Sequence, residues 1–111
     1  MNLKLMLGLI LGLSLGARIL RGAPGDAKAG QPAYTKSCGT CHGPQGEPKP
    51  AIAKMMKVEM KHLGAKEVQT KSDDQLKKDI LSGTGKMVAV KGLDDKLAGD
   101  VIAFVRTLAQ K

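Results

Sequence analysis

Two cysteines separated by two residues, with a histidine directly after the second, constrain this chain more than any other feature. The pentapeptide is Cys38-Gly39-Thr40-Cys41-His42. At this spacing one tight turn lets both sulfurs reach the two vinyl groups on one edge of a haem, and it places the imidazole under the ring. The motif therefore predicts one covalently bound haem c, attached through Cys38 and Cys41 and ligated by His42.

Three other kinds of site use similar residues. A thioredoxin-like redox pair belongs in a βαβ setting, whereas no part of this sequence alternates strand with helix. A zinc site needs four ligands at workable spacing, and the whole chain holds two Cys and two His. A disulfide across two residues would be strained and would leave His42 without a role. Only haem attachment uses all three motif residues.

Residues 1–23 have the pattern of an export segment. A basic start at Lys4 precedes an apolar run over residues 5–17. The run is short for a transmembrane helix, and the small residues expected at a signal-cleavage site are poorly placed. A cleaved signal and an uncleaved N-terminal membrane anchor therefore both remain open. Either one predicts that the domain over residues 24–111 is periplasmic or otherwise exported, free or anchored to the outer face of the cytoplasmic membrane.

The chain is basic, but its charge is not arranged like a nucleic-acid-binding surface. The formal net charge is +8, and the lysines are spread along the chain without interleaved aromatic residues. We therefore expect no nucleic-acid partner. The lysines either keep the surface solvated or steer the protein toward redox partners with acidic docking surfaces.

Capping residues and hydrophobic spacing predict helices at both ends of this domain. Asp26 is a suitable N-cap for a helix over residues 27–37. The clearest helical pattern starts at residue 94 or 95 and continues to about 109, with apolar side chains along one face. Those side chains are Leu97, Val101, Phe104, Val105 and Leu108.

Two further helical stretches are predicted in the middle of the domain. Residues 51–63 have helix-like spacing that is broken at Gly64, and Ser72 caps a helix that ends at Gly83. Residues 43–50 are too rich in Gly and Pro for regular structure. The apolar positions are Ile52, Met55, Met56, Met60 and Leu63 in the first stretch, and Leu76, Ile80 and Leu81 in the second.

The protein portion of the core should be small. The chain has no Trp, and Tyr34 and Phe104 are its only aromatic residues. A buried porphyrin would supply the missing apolar surface, so the chain without haem should fold poorly.

These features together resemble the class I (monohaem) cytochromes c, in particular the small exported bacterial type. The resemblance covers about residues 26–109 and implies an all-α fold of three to four helices around one covalent haem. In that family the first and last helices cross at a small residue and lock through aromatic side chains. Gly30 and Tyr34 match the first-helix positions, and Val101 and Phe104 match those of the last helix.

The resemblance also implies a sixth iron ligand. The family takes this ligand from a late Gly-rich loop, where Met87 stands in this chain. Gly83 and Gly85 would let the backbone approach the porphyrin. Met55, Met56 and Met60 are better explained by packing than by ligation. The only other histidine, His62, is the main alternative and is expected to be exposed.

Two more features follow from the resemblance. A proline carbonyl downstream of the motif usually accepts a hydrogen bond from the ligating histidine, and Pro50, or alternatively Pro48, is the candidate. The family usually places proline after its ligand methionine, whereas this chain has Val88. The Met87 loop should therefore be less rigid than is usual.

The resemblance predicts an electron-transfer protein rather than an enzyme: a carrier of one electron between larger redox proteins. Two alternatives remain, namely a haem subunit of a membrane oxidoreductase and a haem sensor or peroxidase-like protein with a labile sixth ligand. No distal catalytic pair is evident, because His62 is the only other histidine and no arginine of the domain precedes Arg106.

Overall fold

In the computed structural model, which describes residues 25–111, the chain is helical and this range forms no strand. The all-α prediction is thereby confirmed. Five helices are present rather than three to four, because a single-turn helix follows Gly64. The helices are α1 Ala27–Ser37, α2 Pro50–Met56, α3 Lys66–Gln69, α4 Asp73–Ser82 and α5 Asp95–Thr107. The predicted export segment, residues 1–23, lies outside the described residues.

Side-chain caps set the start of the three longest helices. The Asp26 carboxylate accepts the Lys28 N–H at 2.9 Å before α1, and the Ser72 hydroxyl accepts the Gln75 N–H at 3.1 Å before α4. Asp94 caps α5 by accepting the Leu97 N–H at 2.7 Å. Each cap satisfies a backbone donor that has no partner within the helix. The predicted caps at Asp26 and Ser72 and the predicted start of the last helix are therefore confirmed.

Helix α2 is shorter than its sequence pattern predicts. It ends at Met56, because Lys57 takes the left-handed conformation with φ 53° and ψ 48°. The Val58 N–H then bonds back to the Ala53 carbonyl at 3.1 Å, as at many helix C-termini. The Lys86 ammonium donates to the Met56 carbonyl at 2.8 Å. The prediction that the helix continues beyond Met56 is therefore wrong, because the turn at Lys57 and the hydrogen bond from Lys86 end it.

Helices α1 and α5 cross in backbone contact, as predicted. A Cβ atom at Gly30 would overlap the Asp100 carbonyl. One turn later, the rings of Tyr34 and Phe104 lie 5.0 Å apart at 54°. Val101 is buried beside them. The crossing therefore depends on the lack of a side chain at Gly30 and on the Tyr34–Phe104 pair, as the family resemblance implied.

Helix α5 also holds α3 and α4. The Arg106 guanidinium donates to the carbonyls of Gln69 and Lys71, at 2.8 and 2.7 Å, and to the Asp73 carboxylate at 2.7 Å. These bonds join the end of α3 to the start of α4. Over residues 25–111, every helix is too short or too polar to cross a membrane.

Candidate functional site

The haem-attachment motif directly continues α1. The Cys38 N–H bonds to the Tyr34 carbonyl at 2.7 Å, which closes the helix. The Cys38 carbonyl then accepts the N–H groups of Cys41, at 3.2 Å, and of His42, at 2.9 Å. The motif is therefore one hydrogen-bonded turn that carries both sulfurs and the imidazole.

Both thiols are free and partly buried. Burial, with a smaller contribution from Cys41, raises the pKa of the Cys38 thiol to about 11. Redox-active Cys-x-x-Cys pairs depend on the opposite effect, a lowered thiol pKa that gives a nucleophilic thiolate. The thioredoxin-like alternative is therefore disfavoured by the electrostatics of the site as well as by the all-helical fold.

The imidazole of His42 is poised to bind a metal. Burial lowers its pKa, which favours the neutral form that acts as a ligand. The Nδ1 atom is buried and makes no hydrogen bond to any of residues 25–111.

The predicted bond from His42 to a proline carbonyl is therefore absent, and that prediction is wrong for this structure. Pro50 is the first residue of α2, where the carbonyl points along the helix toward the next turn. Pro48 lies in an antiparallel bridge opposite His42. The bridge is formed by bonds to the Glu47 and Cys41 carbonyls, and neither proline carbonyl accepts a hydrogen bond from the imidazole.

These groups fit the donor set that a c-type haem requires. Two free thiols on one turn can form the two thioether bonds, and a neutral imidazole can supply one axial nitrogen. A zinc site has no such support, because no three His, Cys, Asp or Glu side chains converge on a metal position within residues 25–111. Haem is therefore the group that the motif suits.

A loop folds back against the motif. The Gly43 N–H bonds to the Glu47 carbonyl at 2.7 Å, and the Tyr34 hydroxyl donates to the buried Gly43 carbonyl at 2.6 Å. Burial is the main cause that raises the pKa of Tyr34 to about 12, so the phenol stays protonated as a donor. The ammonium of Lys49 donates to the carbonyl of Gly39 inside the motif.

Met87 lies on a separate tight turn after α4. The Thr84 N–H bonds to the Met87 carbonyl at 3.0 Å, and the Met87 N–H bonds to the Thr84 carbonyl at 2.9 Å. Gly85 supplies the positive φ of 55° that this turn needs. Met87 is half-buried, and both it and Cys38 pack against the same hydrophobic core. The structure thus groups Cys38, Cys41 and His42 on one turn and presents Met87 from another.

The alternative sixth ligands have different environments. Met55 is 68% exposed, so the interpretation of this residue as core filler is wrong. Met56 and Met60 are half-buried. His62 is also half-buried rather than exposed, because its Nδ1 accepts the Gly64 N–H at 2.9 Å and holds the ring against the backbone.

Sequence reasoning missed Lys49 and two buried carboxylates. Asp100 accepts the Asp26 N–H at 2.8 Å, and Asp79 accepts the Lys71 ammonium at 3.0 Å. No periodicity or motif marks these residues. The one available signal was the position of Asp79 and Asp100 beside apolar residues on the buried sides of predicted helices.

Comparison with known proteins agrees with the geometry. The family model for cytochrome c matches residues 27–109, nearly the whole described chain. Searches of the curated proteins and of the solved structures gave no match. With the haem-attachment turn, the crossing of α1 and α5 and the family match all in place, the chain belongs to the cytochrome c family.

Proposed function

We propose that the protein is a one-electron carrier with a single haem c, attached through Cys38 and Cys41 and ligated axially by His42 and Met87. It shuttles electrons between larger redox proteins outside the cytoplasm. One observation carries the proposal: in a chain of the cytochrome c family, two free thiols share one turn with a half-buried imidazole whose lowered pKa favours the neutral form.

Each residue of the site has a separate task. When bound, the haem supplies an iron that takes up and releases one electron. The two cysteines prevent loss of the group outside the cell membrane, where it could not be replaced. The lowered pKa of His42 keeps its lone pair available, and the thioether of Met87 favours the reduced state. The aromatic pair between α1 and α5 holds the turn that carries the first three residues.

Acidic redox proteins are the partners that this surface suits. Lys54, Lys57 and Lys86 are exposed, and the Lys86 ammonium bonds to the last carbonyl of α2. That bond holds the Met87 turn against the end of α2. Met55 in α2 is 68% exposed, and Val88, which follows Met87, is 78% exposed. Apolar side chains among lysines suit a brief, electrostatically steered encounter. Electron-transfer rates with an acidic partner should therefore fall as ionic strength rises.

A haem sensor or peroxidase-like protein is the second candidate, and one feature favours it. Val88, which follows Met87, is highly exposed, so little packing restrains the turn on that side. Rapid binding of carbon monoxide to the reduced protein would support this candidate, whereas refusal would support the carrier. A subunit of a membrane oxidoreductase would remain with the membrane on fractionation of the native protein.

Mass spectrometry of the denatured protein tests the proposal most directly. We expect the mass of the polypeptide plus one haem, because thioether bonds survive denaturation. A variant with Cys38→Ser and Cys41→Ser should lose the added mass. Unmodified thiols at both positions in protein matured by an exporting, haem-attaching host would exclude the proposed function.

A further inference from the structure

Lys49 makes two contacts with the haem-attachment turn. Its backbone N–H bonds to the Cys41 carbonyl at 3.4 Å, and its ammonium donates to the Gly39 carbonyl. Its own carbonyl accepts N–H groups from Ile52 and Ala53 in the first turn of α2. Lys49 therefore fastens the start of α2 to the middle of the motif through both its backbone and its side chain.

The positive charge of Lys49 differs from those of nearby lysines in its burial and in its hydrogen-bond partner. Lys49 is half-buried, whereas Lys54 and Lys57, also in or beside α2, are exposed. None of the five ion pairs formed within residues 25–111 includes Lys49. Its partner is a neutral carbonyl just beyond the C-terminal end of α1, where the helix dipole favours a cation. A full positive charge is therefore fixed on the turn without a carboxylate to neutralise it.

We propose that Lys49 positions the haem-attachment turn and raises the reduction potential of the haem attached there. The inference rests on the proposed function, since it requires haem on Cys38 and Cys41. Transfer of one electron to ferric iron lowers the charge of the haem by one unit, and no bond need form or break. The Lys49 ammonium is held at the Gly39 carbonyl, between Cys38 and Cys41 in sequence. A positive charge at this position disfavours the oxidised haem, which carries one more positive charge than the reduced haem. Partial burial limits screening by salt, so the effect should persist at high ionic strength.

Substitution of Lys49 with a matched control tests the role of the charge. Lys49→Gln keeps a donor for the Gly39 carbonyl but removes the charge. We expect its equilibrium constant for reduction to fall about threefold to tenfold, where tenfold equals about 59 mV for one electron. Lys49→Arg should keep the potential. Lys54→Gln, which removes an exposed charge from α2, should have a smaller effect that disappears at about 1 M salt, where the screening length is about 3 Å.

The outcomes separate this inference from the proposed function. Haem attached in every variant, with equal potentials for Lys49→Gln and the wild type, would overturn the inference alone. A reduction potential that falls as far in Lys49→Arg as in Lys49→Gln would also overturn the inference, because Arg keeps the positive charge. Lys49→Met, which keeps the aliphatic length, is the second variant if Lys49→Gln fails to mature, and the same fall is expected. A wild-type protein without covalent haem would overturn both proposals.

Discussion

Tyr34 joins the helix crossing to the loop behind the haem-attachment turn. Its ring packs on Phe104 of α5, while its hydroxyl bonds to the Gly43 carbonyl, one residue beyond His42. A pKa of about 12, raised chiefly by burial, keeps that donor in place through neutral and mildly alkaline pH. Tyr34 therefore connects α5 directly to the segment that follows His42.

At the same scale, Met87 should prove to be the sixth iron ligand. Met87→Ala is expected to abolish the weak near-infrared band of ferric iron bound to thioether, to lower the potential and to admit carbon monoxide. Absorption spectroscopy of the ferric protein measures the band. Met55→Ala is the matched control, because Met55 is exposed and its loss should leave the band intact. A band that survives in Met87→Ala would show that another residue ligates the iron.

The contact at Gly30 can be tested against a second glycine in the same helix pair. Gly30→Ala places a methyl group on the Asp100 carbonyl, which belongs to a helix backbone and cannot move aside. We expect a loss of about 3 kcal/mol in the free energy of unfolding, measured with urea. Gly99→Ala is the control: its added Cβ meets no atom within 4 Å, and α5 should gain about 0.5–1 kcal/mol. Equal effects would contradict the close crossing.

At the scale of elements, the helices differ in what ends them. Helix α4 stops at Gly83, which has a positive φ of 80° that glycine adopts readily. Helix α2 stops at Lys57, the one non-glycine residue with positive φ within residues 25–111. A left-handed lysine carries a steric cost, which the bond from Lys86 to the end of α2 helps to offset.

Lys57→Gly should therefore stabilise the protein. We expect a gain of about 0.5–1 kcal/mol, because glycine adopts the observed conformation without clash. Lys54→Gly, an equally exposed substitution inside α2, should cost about 1 kcal/mol. Thermal unfolding of both variants against the wild type measures the difference. A loss in Lys57→Gly as large as that in Lys54→Gly would exclude a left-handed end to α2.

On the scale of the fold as a whole, two buried carboxylates bond to groups outside their own turn of helix, one of them across the length of the domain. The N–H of Asp26 and the Lys96 ammonium lower the pKa of Asp100, which joins the start of α1 to α5. Burial acts to raise the pKa of Asp79, but hydrogen bonds from Lys71 and Gln75 outweigh it and lower the pKa overall. Both groups are therefore ionised in the folded protein, and each is bonded to a neighbouring segment or turn.

Acid should destabilise the fold through these groups. A carboxyl whose pKa is lowered by folding contributes stability above its unfolded pKa, about 3.9, and loses that contribution as pH falls through the lower folded value. The urea midpoint should therefore decrease below about pH 4. Asp100→Asn, which keeps an acceptor for the Asp26 N–H, should be less stable at pH 7 and less sensitive to acid. Asp95→Asn, at an exposed ion pair, should keep the wild-type profile.

Features that arise from interactions between nearby residues were predictable from the amino-acid sequence. The haem-attachment turn, the caps at Asp26 and Ser72, and the start of α5 near Asp94 all depend on groups close in the chain. The family resemblance extended this to the crossing at Gly30, because the chain keeps the small residue and the aromatic pair at matching positions.

Features whose partners are far apart in sequence could be found only once the chain was folded. The end of α2 depends on Lys86, thirty residues beyond Met56, and the tie at the start of α1 depends on Asp100, seventy-four residues from Asp26. Likewise Lys49 reaches the motif only because the loop after His42 turns back. Hydrophobic periodicity and capping patterns depend only on residues that are close in sequence. Buried charges and helix ends also need hydrogen-bond partners, and in this protein several of those partners come from distant parts of the chain.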